Sequence, residues 1–382
     1  MNILAVFFHF PPISGGGSVL SYEIVNSFLN QGHQIFVIVP DVEWYGKKFE
    51  PQIKSKIKLI RVKIPLRNNI KIAARLCRRN LEIEIIKLSK KEKFDFIFTI
   101  FHPFHMVSHA AISAGNKLNI PVIVKIDDAI FTKSKGLKHL QRIIEKKWNG
   151  NALQNANKIL VANEGIKKII LKEYNINEEK IIIIPNGIDV EFFKNIKKQK
   201  KPTLVFSGMM YDHRGIDILL NSLPIVITKF PDIRVILLGE GPEIEKLKKI
   251  TTELNLIHNV EFKGWVDRKE IPNFLSESYI GIGPLKLTDV TTNALPIKVL
   301  EYMASSLPIL SKKGTLSKEV LEDNKNGFLV EDSKELANKI IKLLSDEELR
   351  EKMGENSFRM VQSFDWSNIT TKILQLYNDI KK

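Results

Sequence analysis

The sequence predicts an α/β protein built of two doubly wound parallel-sheet lobes, and three observations carry that expectation. Short apolar, β-branched runs alternate with longer amphipathic stretches nearly from end to end, as parallel strands buried by helices on both faces do. The alternation stops at Phe193, crosses a charged stretch ending in Pro202, and restarts at Thr203. With 382 residues, 44% of them hydrophobic, the chain has core material for two or three domains.

The elements follow in order. Strands are expected at Asn2–Phe8, Gln34–Val39, Lys58–Val62, Asp95–Thr99, Pro121–Ile126, Lys158–Val161 and Lys180–Ile184, with helices at Ser18–Asn30, Arg75–Lys91 and Leu137–Gln154 between them. The second half gives strands at Thr203–Ser207, Arg234–Leu238, Asn259–Phe262, Ile280–Ile282, Pro308–Leu310 and Phe328–Val330. Its helical patterns are Ile216–Lys229, Pro242–Leu254, Lys269–Ser276, Pro296–Ser305, Lys334–Leu344 and Glu347–Ser363. The expected division is a first lobe over 1–194, a linker over 195–202 and a second lobe over 203–362. In such sheets ligands bind beyond the carboxyl ends of the strands, and two lobes facing each other would line one central cleft with those loops.

Charge is unevenly spread. Of the net +15, residues 1–200 carry +16 and residues 201–382 carry −1, and residues 51–100 alone hold 14 basic against 4 acidic side chains. A basic block of this kind implies an anionic partner: nucleic acid, a membrane surface or an acidic substrate. The single cysteine, Cys77, excludes an intramolecular disulfide and a cysteine-based metal cluster, and suits a cytoplasmic protein. Met1–Phe8 is too short to span a bilayer and lacks a basic flank, so neither signal peptide nor anchor is expected.

Several strand-end loops carry candidate chemistry. Gly15, Gly16 and Gly17 precede an amphipathic helix and let backbone amides approach an anion; a flexible loop is the competing reading. His102, His105 and His109 fit one helical face and invite a metal hypothesis, but no Asp, Glu or Cys nearby completes a shell. The favoured reading puts His102 at the strand end facing the cleft, and His105 and His109 in the helix. Asp127-Asp128 closes a buried-looking strand, one expected as a cap and the other in the cleft. Asn163-Glu164 is a weaker polar pair for which helix capping competes. In the second half Gly208 ends a strand, and Arg214 near the next helix suits a phosphate. Pro296 fits the first position of a helix on which Lys298 and Glu301 share a face. A lysine there reaches a diphosphate and a carboxylate accepts from ribose hydroxyls, against the alternative of a surface ion pair.

Taken together, the Pro-Pro…Gly-Gly loop, Gly32-His33-Gln34-Ile35, Ile184-Pro185-Asn186-Gly187-Ile188-Asp189, Gly239-Glu240-Gly241-Pro242, Phe262-Lys263-Gly264-Trp265-Val266, the Pro296–Ala304 helix, Asn326-Gly327-Phe328-Leu329-Val330 and Phe364-Asp365-Trp366 resemble retaining family 4 (group 1) glycosyltransferases with the GT-B fold of two Rossmann-like lobes. The resemblance covers nearly the whole chain. It implies metal-independent, retaining transfer of a sugar from a nucleotide-diphosphate donor (UDP or GDP type) to an acceptor hydroxyl, with no cofactor. The first lobe would hold the acceptor, the second the donor, and the segment 363–382 would form a helix crossing back to the first lobe.

On this resemblance Glu301 matches the ribose-binding carboxylate, Arg214 a diphosphate contact, and Gly15 and Gly16 the loop that nears the donor phosphates. Gly208, Trp265, Lys286, Pro296 and Lys298 complete the expected donor set, and Asp127 and His102 join Arg214 and Lys298 as expected catalytic groups. Three positions depart from the family pattern: Asn293 stands at the first of two paired acidic positions, Asp127 where a histidine is common, and Met209 where a basic residue is common. Lys286 or Lys298 would then supply the second diphosphate cation.

A sugar-nucleotide epimerase of the same fold and a basic nucleic-acid-binding protein are the rival readings. The basic block lacks aromatics to stack bases, which argues against nucleic acid. Around residues 63–93 apolar and basic side chains interleave as in a segment that lies on anionic lipid, a solvated lysine-rich helix being the alternative. The expectation is a cytoplasmic protein, peripheral at the inner face of the membrane, extending a lipid-linked glycan, a cell-surface polysaccharide or a lipopolysaccharide precursor.

Overall fold

Asn2–Val6 (β1) starts the chain in the middle of a sheet, with its last four side chains buried. The computed structural model describes residues 1–13, 15–43, 48–127, 137–194, 202–288, 291–292 and 294–381, with backbone alone at 137–141. Two units emerge: Met1–Gly187 with Trp366–Lys382, and Ile188–Asp365.

In the first unit β1 is followed by Gly16–Asn30 (α1), Gln34–Asp41 (β2), Ile57–Lys63 (β3), Ile70–Leu76 (α2), Arg78–Ser89 (α3), Phe96–Ile100 (β4) and Val107–Leu118 (α4). Val122–Ile126 (β5), Leu137–Gln154 (α5), Lys158–Val161 (β6), Glu164–Glu173 (α6) and Ile181–Ile183 (β7) complete its alternation. All pairings are parallel in the order β3-β2-β1-β4-β5-β6-β7, so the winding reverses between β1 and β4. Leu4, Val6, Phe36, Ile97, Val124 and Ile159 are fully or almost fully buried beneath helix side chains such as Ala73, Leu81 and Ala110. That double burial is why the strands read as continuous apolar runs.

The expected helix Arg75–Lys91 is instead two. The Ala74 carbonyl accepts the Met106 amide at 2.9 Å and the Cys77 thiol at 3.3 Å. That oxygen is the acceptor a continuous helix would offer Arg78, so regular helix breaks at Cys77.

The second unit contains Val190–Lys194 (α7), Thr203–Ser207 (β8), Ile216–Ile227 (α8), Arg234–Leu238 (β9), Ile244–Glu253 (α9), Val260–Gly264 (β10), Ile271–Ser276 (α10) and Ile280–Ile282 (β11). Ile297–Ala304 (α11), Ile309–Lys312 (β12), Gly327–Val330 (β13), Ser333–Ser345 (α12) and Glu347–Val361 (α13) follow. Its parallel order is β10-β9-β8-β11-β12-β13, with the winding reversed between β8 and β11.

The first unit ends at Gly187, not after residue 194. Ile188, Val190 and Phe193 pack with Val299, Leu300 and Met303 in the second unit's core, which carries α7 with them. Most of the expected linker, 195–201, lies outside the described residues. The last helix, Trp366–Lys381 (α14), belongs to the first unit. It lies on α1 through Ser27–Thr370 at 2.7 Å and Gln31–Thr370 at 2.8 Å, and Tyr377 donates to Asp95 at 3.3 Å. A methyl group at Gly187 would run into the Trp366 indole. Gly187→Ala is therefore expected to loosen α14 and cost about 1–3 kcal/mol by overpacking, read as a lower Tm by calorimetry.

Candidate functional site

Beyond the carboxyl end of β8 the second unit gathers charge at its point of reversed winding. Ser207 donates its amide to the Tyr302 hydroxyl at 2.7 Å, which ties the strand end to α11. Gly208 follows with φ 129, a conformation that favours glycine, and a Cβ there would stand 3.3 Å from Lys298 Nζ. The expected residues Gly208 and Lys298 are thus in contact. Pro296 does not begin the helix. Its ψ of 136 makes it the extended cap, and α11 starts at Ile297.

The alternative of a surface Lys298–Glu301 ion pair does not hold. Lys298 to Ala304 are all buried, and the two side chains take separate partners. Lys298 lies with Nζ 3.7 Å from the centre of the Phe206 ring, and that ammonium is buried with no hydrogen-bond acceptor among the described residues. Burial, then the positive charge of Arg214, push its pKa well below the usual lysine value, with Glu301 opposing. Glu301 instead accepts from Arg268 Nη1 at 2.6 Å, with both side chains nearly withdrawn from solvent. Arg268 was not anticipated; a basic residue three positions past Gly264-Trp265 was the available signal.

Arg214 ends a 3₁₀ turn, Asp212–Arg214, one residue before Gly215 in the left-handed conformation and α8 beyond. Its neighbour His213 stacks on Tyr211, and burial followed by the charges of Arg214 and Lys298 lower its pKa. Lys286 lies 2.8 Å from Asp212 and 3.1 Å from Asp217 and is committed to them. Of the two lysines expected near the diphosphate, Lys298 is the one whose charge is not spent on carboxylates. Trp265 follows the edge strand β10, two strands from β8, and is 38% exposed. Asn293 lies outside the described residues.

In the first unit Gly15, with φ 116, caps α1, and Gly16 begins it; a Cβ at either would meet nothing within 4 Å. The loop backbone is therefore open. On β5, Lys125 is wholly buried, donates to the Ile184 carbonyl at 3.0 Å and pairs with Asp127 Oδ1 at 3.1 Å. Asp128 lies outside the described residues. Asn163 caps α6 by accepting the Ile166 amide at 2.9 Å, so capping accounts for it.

The histidines are arranged differently from the helical-face expectation. His102 follows β4 by two residues, and α4 begins only at Val107, so His105 stands outside the helix. Pro103 disfavours helical geometry in His102, and the Met106 amide goes to Ala74. His109 does belong to α4, 5% exposed, its pKa pushed down to about 4 by burial first. No group of three or more metal-binding side chains occurs among the described residues.

Comparison with known proteins places both units. The model described as Glycosyltransferase Family 4 matches residues 14–192, and that described as Glycosyl transferases group 1 matches 187–360. An uncharacterised glycosyltransferase of Methanocaldococcus jannaschii is 25% identical over 269 residues, 69% of this chain and 70% of its own. A UDP-Gal:α-D-GlcNAc-diphosphoundecaprenol α-1,3-galactosyltransferase of Escherichia coli is 23% identical over 315 residues, 78% of this chain and 79% of its own. The crystal structure of Anabaena HepE in complex with UDP aligns with a TM-score of 0.74 at 17% identity, covering 99% of this chain and 100% of that one. The fold is GT-B. With the two family models together spanning residues 14–360, the chain belongs to the group 1, family 4 glycosyltransferases.

Proposed function

We propose that this glycosyltransferase moves a hexose, with retention at the anomeric carbon and without a metal or other cofactor, from a UDP- or GDP-linked donor to a hydroxyl of a lipid-linked glycan or cell-surface polysaccharide precursor. One observation carries the donor assignment: the buried Lys298 ammonium, lacking an acceptor among the described residues, sits under the field of Arg214 at the second unit's point of reversed winding. A diphosphate supplies the negative charge that corner calls for. Arg214 and Lys298 then stabilise the leaving diphosphate, the largest catalytic contribution in such a site. Glu301, steadied by Arg268, accepts from ribose hydroxyls, with Gly208 and Pro296 shaping the approach. Trp265 and Lys286 take outer places. Asp127 and His102 serve the acceptor in the first unit, and the departing phosphate oxygen takes the acceptor's proton.

A screen of nucleotide sugars by thermal shift tests this. A ligand at 100 times its Kd adds about 2.7 kcal/mol of stability. One UDP- or GDP-sugar is expected to raise Tm in the wild type and not in Arg214→Ala; equal stabilisation of both proteins would remove the donor assignment.

We further propose that residues 63–93 rest on anionic lipid at the inner face of the membrane, the protein remaining cytoplasmic. No described helix is long and apolar enough to cross a bilayer. Leu66, Ile72, Leu76 and Ile83 are exposed beside Lys71, Arg78 and Arg79. Arg75 reaches Glu145 on α5 at 3.1 Å, where Ile143, Ile144 and Trp148 are exposed too. Apolar groups among cations suit an acidic membrane surface. The E. coli relative's name, with its diphosphoundecaprenol-linked acceptor, supports the same setting. Lysine and arginine at 71, 78 and 79 replaced by glutamate are expected to abolish cosedimentation with anionic vesicles, and binding by wild type to neutral vesicles as strong as to anionic ones would refute the docking.

A further inference from the structure

The two points of reversed winding have opposite chemistry. In the second unit, cations meet. In the first unit, three imidazoles meet: His9 beyond β1, and His102 and His105 beyond the neighbouring strand β4. The His105 ring stacks on His102 with centroids 4.1 Å apart, lies 5.2 Å from His9, and rests on Phe8 at 4.2 Å. His9 also backs onto the start of α1, since a Cβ at Gly17 would stand 3.4 Å from its own Cβ. This is a built cluster in which each ring is held by another.

Such a cluster resists charge. Burial, then the neighbouring imidazoles, push His105 down to about 2 and His102 to about 4, and burial lowers His9. These three histidines are the titratable groups that bear on one another here. His102 Nδ1 accepts the Phe104 amide at 3.3 Å, which assigns the ring proton to Nε2. Neutral imidazoles donate and accept one hydrogen bond each, as a hydroxyl does, and offer a phosphate no countercharge.

We infer that His9, His102 and His105 form a binding site for an uncharged carbohydrate, contacting its hydroxyls with ring nitrogens, so that the acceptor enters the first unit by a neutral sugar and not by a phosphate. The inference rests on the glycosyltransferase reading and specifies the acceptor class within it. It adds His9 and His105 to the site and makes them specificity-determining: the neutral imidazoles give a charged acceptor end no countercharge, and a sugar's hydroxyls find their ring nitrogens.

The test uses the full chain labelled with ¹⁵N-histidine, its ring signals followed at pH 7. The probes are methyl α- and β-glycosides of glucose, galactose, mannose and N-acetylglucosamine up to 100 mM, inorganic phosphate at the same concentrations, and UDP. At least one glycoside is expected to shift His9, His102 and His105 saturably while they stay neutral, with phosphate leaving them unmoved. UDP is expected to shift His213, beside Arg214, and so reports the donor site independently. His105→Phe, which keeps the ring stack, is expected to weaken glycoside binding about tenfold and leave UDP affinity within twofold. A UDP response at His213 with no glycoside response at the cluster overturns the inference and leaves the donor assignment standing. So does a phosphate shift larger than any glycoside shift, or unchanged glycoside affinity in the Phe variant. Silence of His213 toward UDP counts instead against the donor assignment.

Discussion

Lys298→Met is expected to cut affinity for UDP or GDP about 30- to 100-fold while leaving the Tm unchanged or higher. A hydrogen bond from a cation to a phosphate oxygen contributes about 1.5–3 kcal/mol, and methionine cannot make it. In the unliganded protein the same ammonium is a cost, since it is buried over Phe206 with no acceptor among the described residues. An apolar side chain of similar length relieves that cost. The pH dependence has a definite sign. The folded-state pKa lies well below the ordinary 10.5, so between the two values the unfolded chain binds more protons than the folded one. The wild type therefore gains stability as pH rises through that window, and bears the full penalty below it. Lys298→Met should lack that slope. Calorimetric titration with UDP and Tm scans from pH 6 to 10 check both halves. A variant that loses stability but binds UDP normally would make Lys298 a structural residue.

Glu301→Ala is expected to cost the second unit about 3–5 kcal/mol, because the Arg268 guanidinium, 11% exposed, is left buried beside a missing carboxylate. At roughly 2–4 °C per kcal/mol for a unit of this size, Tm falls by about 10 °C. Glu301→Gln keeps an oxygen for Arg268 and ought to lose far less stability, yet still loses nucleotide affinity, since an amide is a weaker acceptor for two hydroxyls than a carboxylate. The ratio of the two effects is the useful quantity. If Gln binds the donor like wild type, Glu301 serves Arg268 and not ribose. Thermal unfolding and UDP titration of Glu301→Ala, Glu301→Gln and the Arg268→Leu/Glu301→Leu pair resolve it, the pair being expected to recover most of the lost stability.

The second-unit strands were legible where apolar side chains fill both faces: Thr203–Ser207, Arg234–Leu238 and Ile280–Ile282 have the bounds the residues suggest. Parallel strands buried from above and below leave no polar residue to blur an edge. Less legible were features set by a single long-range hydrogen bond. Nothing near Cys77 announces that Met106 takes the Ala74 carbonyl, and hence that the helix divides. Gly187 looked like the middle of a motif because Ile188, Val190 and Phe193 continue an apolar pattern past it, and which core receives them is a tertiary choice. Gly208 and Lys298, singled out separately at a strand end and on a helix, lie against each other in the structure. Arg268 and the His9–His105 contact were not found, since each joins residues far apart in sequence. The i, i+3 spacing also left a surface Lys298–Glu301 ion pair open as the alternative. Both are buried, and Glu301 turns to a partner 33 residues away.

Synthesis imposes an order on this architecture. The hydroxyl of Ser27 meets that of Thr370 across 343 residues of chain, so α1 waits for α14 until the entire second unit has left the ribosome. Domains generally fold as they emerge, but here the earlier one is completed last. In the interval the face of α1 that α14 will cover is exposed, and the nascent first unit is a substrate for chaperones for as long as translation takes. Slow translation between residues 188 and 365 should prolong that window, and deleting α14 should make it permanent.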